Sequence, residues 1–333
     1  MVDSFPAGSG PKLRASGAAR PSPAVHASPM RRGWLRFAGP AVFAAASIVM
    51  LAVVGIPTAK DRLFAWLLLG LVAVSLVDAR RLLPRLLLEW SPFIGFLLAY
   101  DLLRGVADSV FAAHIYPQLH VDEWLFGGRV PTVWLQARLW HGDADLRWWD
   151  YVAWTVYLTH FFATLVVAAV LWRWAHDRYV RYASMVALLA ALGFATYVLF
   201  PAVPPWLASE QGDLDATARI VPVVWGHIPI AHFSTIFEKG RRYANDVAAV
   251  PSLHAAYALL IALYLWRLVP RWARPLLALY PLLMAASLVY MAEHYVSDCL
   301  LGFAYAVAAF VLVNVAWERW FTPSPKAEPA FAD

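Results

Sequence analysis

Eight apolar runs constrain this chain more than any other feature, because a backbone that meets hydrocarbon has to satisfy its hydrogen bonds within its own helices. A membrane-crossing helix needs about 20 mostly apolar residues. The runs fall at about 37–57, 63–77, 86–106, 151–171, 182–200, 253–269, 276–292 and 296–317. The second, sixth and seventh are short, and the third carries Asp101 and Arg104 near its end, so six to eight crossings fit the pattern. The fold class expected is all-α, a polytopic transmembrane helix bundle of about eight helices. Composition agrees, since 61% hydrophobic and 15% charged residues give more apolar surface than a soluble core of 333 residues needs. Trp66, Trp90, Trp172, Trp266 and Trp317 fall at run ends, where an indole suits the bilayer interface.

Residues 1–33, rich in Ala, Ser, Pro and Gly, read as a disordered tail, with no apolar run long enough for a signal-peptide core. Residues 321–333, with Pro323, Pro325 and Pro329, read as a second tail. Between them lies one transmembrane catalytic domain, 34–320, with its motif-bearing core at about 100–316. The lone Cys299, inside an apolar run, reads as a packing residue. With eight crossings, the two long connections at about 107–150 and 201–252 share one side and both tails share the other. The tail side then holds 17 of the 27 Lys and Arg. By the positive-inside rule both termini are cytosolic and the long connections face outward, most simply from a plasma membrane. The net charge of +5 thus reflects orientation and implies no nucleic-acid partner.

Two segments carry chemistry. Pro251-Ser252-Leu253-His254 marks the point where the second long connection enters the sixth run. A helix start offers unpaired N–H groups and a partial positive charge that suit phosphate oxygens, and Ser252 can cap that helix or donate its hydroxyl to the same anion. Glu293-His294-Tyr295-Val296-Ser297-Asp298 sets a His and an Asp at i and i+4 on one helix face. There the carboxylate can hold one ring nitrogen and leave the other free as a nucleophile. Spacing alone decides little, because a second His-x-x-x-Asp occurs at His141 and Asp145. Topology separates the two: one helix leads inward from His254 and the next returns outward to His294, so both imidazoles reach the same depth on the same face.

Pro251-Ser252-Leu253-His254 followed by His294-Tyr295-x-x-Asp298 resembles the second and third signature motifs of the type-2 phosphatidic acid phosphatase superfamily, in the variant of inositol phosphorylceramide synthase-like membrane proteins. Phe200-Pro201-Ala202-Val203-Pro204-Pro205-Trp206 is similar to the proline-rich stretch that precedes the second motif in that subgroup. The likeness runs over about 100–302. It implies a lipid phosphate substrate, attack of His294 on phosphorus to form a phosphohistidine, orientation by Asp298, and protonation of the leaving oxygen by His254. No metal or other cofactor is needed in that scheme. Two features of the superfamily pattern are missing. Its third motif begins with Ser-Arg, whereas Ser287 is followed by Leu288, and its first motif, a Lys with Arg-Pro seven residues on, does not precede the second.

Charge nominates replacements for those cations. Lys239, Arg241 and Arg242 lie just before the second motif, and Arg104 ends the third run; an Arg fork grips two phosphate oxygens at once. Plainer roles are a solvated loop cluster and an ion pair of Arg104 with Asp101 or Asp108. His160, beside Thr159 and Tyr157, reads best as a neutral His hydrogen-bonded between helices, and His227 and His232 as weaker candidates for a polar headgroup. The second long connection, with Pro204, Pro205, Trp206 and Trp225, is larger than a helix link requires. As a lid it would exclude water and wall a polyol or lipid alcohol acceptor, so transfer is expected over hydrolysis. Two other classes stay open: a zinc-dependent membrane hydrolase ligated by His254, His294 and Asp298, and a transporter or structural bundle with Asp101, Arg104 and His160 along a path.

Overall fold

A backbone that bonds only to itself has to coil, and this chain does. The computed structural model describes residues 30–53, 60–104, 111–228 and 246–321. The expected tails, apart from the residues nearest the bundle, lie outside these. Among the described residues there are twelve helices and no strand beyond isolated bridges. They are α1 (Met30–Val53), α2 (Lys60–Ser75), α3 (Ala79–Arg104), α4 (Tyr116–Leu125), α5 (Pro131–Leu139) and α6 (Trp148–Trp174). Then follow α7 (His176–Leu199), α8 (Pro205–Gln211), α9 (Ile220–His227), α10 (Leu253–Leu265), α11 (Arg274–Tyr290) and α12 (Val296–Phe321). Helix α1 begins a few residues inside the stretch that reads as tail.

Among the described residues five helices are long and apolar enough to cross a membrane: Ala79–Ala99, Trp148–Trp174, His176–Leu199, Arg271–Tyr290 and Val296–Trp320. The shorter apolar helices Phe37–Val53, Leu63–Ser75 and Leu253–Leu265 complete the eight expected runs. The outward faces of α11 and α12 expose Leu276, Leu282, Leu312 and Val315, where a water-soluble bundle would carry charge.

Helix α10 is the hub, packed against α6, α7, α11 and α12. That placement explains its apolar residues on every side, with Leu253, Ala255, Ala256, Ala258, Leu260, Ile261 and Ala262 all buried. Its 13 residues span about 20 Å, short of a hydrocarbon layer of about 30 Å. The N-terminal helices form an outer layer, α3 on α7 and α2 between α1 and α3. Glu89 within α3 is satisfied there by the Trp172 indole, which donates to it at 2.6 Å, and by Arg85 at 3.3 Å.

The two long connections hold more structure than their sequence suggests, namely α4, α5, α8 and α9. Each is 7 to 10 residues long, so a search for spans passes over them. Pro117, Pro131 and Pro205 sit in the first turns of α4, α5 and α8, where a missing N–H costs nothing, and Gly212, at φ 85°, ends α8 in the left-handed region. Helix α4 packs on α12, α5 on α11 and α9 on α6, so the connections fold back onto the bundle. Bridges from His114 to Ala202 and from Ala202 to Ala248 tie them to each other.

Candidate active site

Two backbone devices bring the paired motifs together. Ser252, with an extended backbone, is the N-cap of α10, and its Oγ accepts from the Ala255 N–H at 3.4 Å. Its own N–H donates to the Asp298 carbonyl at 3.0 Å, joining the start of α10 to the first turn of α12. This close approach depends on Gly302, where a Cβ would stand 2.3 Å from the Ser252 carbonyl oxygen.

The second device ends α11. Ala292 takes the left-handed conformation at φ 62°, the Glu293 N–H donates to the Leu288 carbonyl at 3.0 Å, and the Ala292 N–H to Val289 at 3.2 Å. This is the Schellman arrangement with Ala where Gly is usual, a strained residue two positions from His294. The Ala292 carbonyl accepts from the Trp206 N–H at 3.1 Å, so the proline-rich segment is fastened at the same point. The N–H groups that open α12 are met from two sides: Asp298 in its first turn accepts from the Tyr295 N–H, and Asp122 of α4 reaches across to accept from the Val296 and Ser297 N–H groups at 2.9 and 2.8 Å. Burial raises the Asp122 pKa, opposed by those amide hydrogen bonds.

The side chains then fall in line. His294 Nδ1 faces Asp298 Oδ2 at 3.4 Å, the long end of hydrogen bonding, and the Tyr295 N–H holds the same oxygen at 2.9 Å. His294 and Asp298 are buried. His254 Nδ1 lies 3.2 Å from His294 Nε2. With a carboxylate on Nδ1, that nitrogen of His294 carries the proton and Nε2 is left as a lone pair; the His254 Nδ1–H then donates to it. The arrangement can supply a nucleophilic nitrogen, a carboxylate that orients it and a second imidazole in contact with the nucleophile.

Several neighbours carry no signal in sequence spacing. Tyr157 stacks on His254 with ring centroids 5.3 Å apart, and His160, one turn on in α6, approaches the same ring to 4.0 Å. Arg219, at the start of α9, forms a two-point ion pair with Glu293, Nε to Oε1 at 2.8 Å and Nη2 to Oε2 at 3.1 Å. Its guanidinium lies over the Trp206 ring at 4.1 Å, and Nη1 is buried with no hydrogen-bond partner among the described residues. Burial works against its charge, but Glu293 more than offsets this and holds the pKa above the ordinary Arg value. Gln136 of α5 fixes the backbone beside it, donating to the carbonyls of Ala218 and Tyr290 at 2.9 and 2.8 Å. A cation next to the residue before His294 is thus the piece that sequence reasoning missed.

The residues expected from sequence divide accordingly. His254, His294, Asp298 and Ser252 come together. Lys239, Arg241, Arg242 and His232 lie outside the described residues, and of Arg104 only the backbone, at the end of α3, is described. His141 Nδ1 bonds the Leu139 carbonyl at 2.9 Å while Asp145 pairs with Arg147, so the second His-x-x-x-Asp forms no dyad. His227 bonds back to Val223 within α9. Among the described residues no three His, Cys, Asp or Glu side chains gather as a metal-holding group.

Comparison with known proteins bears on the same segments. The PAP2 superfamily profile matches residues 131–312. A phosphoinositol dihydroceramide synthase of Bacteroides thetaiotaomicron is 34% identical over 141 residues, 40% of this chain and 45% of that protein. The inositol phosphorylceramide synthase catalytic subunit aur1 of Schizosaccharomyces pombe is 29% identical over 170 residues, 50% of this chain and 40% of that protein. The matches therefore span less than half the length of these curated relatives. No solved structure gives a significant match.

Proposed function

This chain belongs to the PAP2 superfamily, and from that premise we propose that it is a membrane-embedded phosphotransferase that moves a phospho-headgroup between lipid alcohols through a phosphohistidine on His294. The observation that carries this is the row Asp298, His294, His254, with 3.4 and 3.2 Å between successive partners. Nε2 of His294 attacks phosphorus, the bond to the departing lipid oxygen breaks, and that oxygen takes a proton from His254. An acceptor hydroxyl then gives its proton to His254 as its oxygen attacks phosphorus, and the phosphorus–nitrogen bond breaks. The free Nη1 of Arg219 is the donor proposed for a phosphate oxygen, in place of the missing motif cations. Ser252, Arg104, Lys239, Arg241 and Arg242 remain as further phosphate-binding proposals.

The names of the relatives join inositol, phosphate and a ceramide in one product, and we propose that class here: an inositol-bearing phospholipid as donor and a ceramide-type alcohol as acceptor. The count of basic residues supports cytosolic tails and an outward-facing site, and the plasma membrane is the location we propose for it. The test is to incubate purified protein with a headgroup-labelled phosphodiester lipid, with and without acceptor alcohol. Label should be trapped on the protein, lost in His294→Ala, and passed to the alcohol as a new diester. Release of the headgroup phosphate to water at an unchanged rate, with no diester over a broad acceptor panel, would make this a hydrolase. Turnover by His294→Ala would remove the phosphohistidine.

A further inference from the structure

His160 reads as a residue that merely bridges helices, yet among the described residues its ring lies closer to the His254 ring than those of Tyr157 and His294 do. The centroids are 4.0 Å apart at a 43° tilt, against 5.3 Å for Tyr157 and 5.4 Å for His294. We propose that His160 is the positioning residue of the general acid, setting the orientation of His254. This rests on the role given to His254 above and deepens it.

The proton on His254 Nδ1 is committed to the lone pair of His294, so a neutral His254 has only that proton and its Nε2 carries none. Such a ring is a poor acid towards an alkoxide. To act it has to be the imidazolium, with a second proton on Nε2. Two imidazoles in contact repel when both are charged, so the His160 ring packed on His254 stays neutral and holds the His254 ring in place while that ring carries the extra proton. Among the described residues, the groups around this pair include Tyr157 on α6, Tyr257 on α10 at 5.9 Å from His160, and His294 with Asp298 behind it. Arg219 and Glu293 stand close by, with Tyr157 within the field of Arg219.

The bonds balance without any other reactant. When the phosphorus–oxygen bond breaks, its electron pair goes to the lipid oxygen, which takes the Nε2 proton of His254 and leaves that imidazole neutral. When the acceptor oxygen bonds to phosphorus, its proton returns to His254 Nε2 and the phosphorus–nitrogen electron pair returns to His294. Over a full transfer His254 neither gains nor loses a proton, so no path to bulk water is required, and His160 keeps the His254 ring in register as its charge changes.

Leaving-group chemistry tests this in the full chain reconstituted in lipid nanodiscs. Two phosphodiesters with the same headgroup are compared, one leaving as a lipid alcohol, which needs a proton, and one as p-nitrophenolate, which does not. His160→Phe keeps a flat apolar ring, and His160→Asn restores a hydrogen-bonding nitrogen. His160→Phe should lose about 10-fold or more on the alkyl diester and stay within about threefold on the nitrophenyl ester, with His160→Asn between it and the parent. An equal loss on both substrates would make His160 a packing residue, and no loss on either would leave it without a role; both outcomes overturn the proposal. The nitrophenyl reaction reports folding in each variant. His294→Ala, run alongside, should be inactive on both esters; if it turns over, the parent mechanism falls whatever His160 does.

Discussion

Gly302→Ala offers the sharpest test of how the two motifs are held in register. The added Cβ would sit 2.3 Å from the Ser252 carbonyl oxygen and 3.2 Å from its carbonyl carbon. Both are backbone atoms and cannot rotate away. Real Cβ contacts begin near 3.0 Å and become ordinary at 3.4 Å, so α12 and the start of α10 have to part by about 0.7 to 1.1 Å. His254 lies two residues beyond Ser252, and His294 lies just before α12, so the 3.2 Å contact between their rings takes up the shift. A misplacement of about 1 Å in a reacting constellation costs on the order of 10²-fold in rate, or about 2.7 kcal/mol of barrier. The overpacked seam also loses about 1 to 3 kcal/mol of stability. Gly193→Ala is the control, because its Cβ would meet only the Leu253 side chain, Cδ1 at 2.8 Å, which can adjust; its kcat should fall no more than about fivefold. The assay is single-turnover transfer at saturating lipid, with thermal unfolding of each variant recorded in parallel. A Gly302→Ala enzyme within about threefold of the parent, or equal losses in the two variants, would refute the reasoning.

Other expectations follow from the same geometry. Arg219→Lys keeps the charge but cannot bond Glu293 at two points and a phosphate oxygen together, so kcat/KM should fall about 10-fold, and Arg219→Ala about 10²-fold or more, by steady-state kinetics. Ala292→Gly relieves the left-handed strain and should raise stability by about 1 kcal/mol, seen as a higher Tm with kcat within about twofold of the parent. An epitope tag at Gly212 should be accessible from outside intact cells while a tag at the C-terminus is not, and the opposite pattern would reverse the assigned orientation.

The eight runs and the pair of motifs were legible because both are local: a run needs only its own composition, and His294 and Asp298 share a helix face by their spacing. What escaped depends on contacts that no spacing encodes. Arg219 meets Glu293 across 74 residues and Asp122 meets Val296 across 174, each brought there by a connection whose short helices lack the apolar run of a span. His160 was visible as an ionisable residue in an apolar helix, but only the packing of α6 on α10 sets it against His254. Gly302 looks like any small residue in an apolar run until the neighbouring carbonyl is seen beside it. The cations were sought near the second motif by charge alone, where Lys239, Arg241 and Arg242 cluster. The pair of Arg219 and Glu293 is quieter in sequence because its two charges stand singly, 74 residues apart.

The brevity of α10 ties this site to the thickness of the bilayer around it. A helix of about 20 Å enclosed by longer ones cannot reach both faces of about 30 Å of hydrocarbon, so with its far end at one face His254, at its first turn, stands about 10 Å below the other. A substrate phosphate then has to sink towards the site, or the leaflet has to thin to meet it. Either deformation costs fractions of a kcal/mol for each ångström of mismatch. Longer acyl chains in the host membrane deepen that descent and shorter ones lessen it, so the bulk lipid, without touching a catalytic residue, sets part of the barrier the enzyme works against.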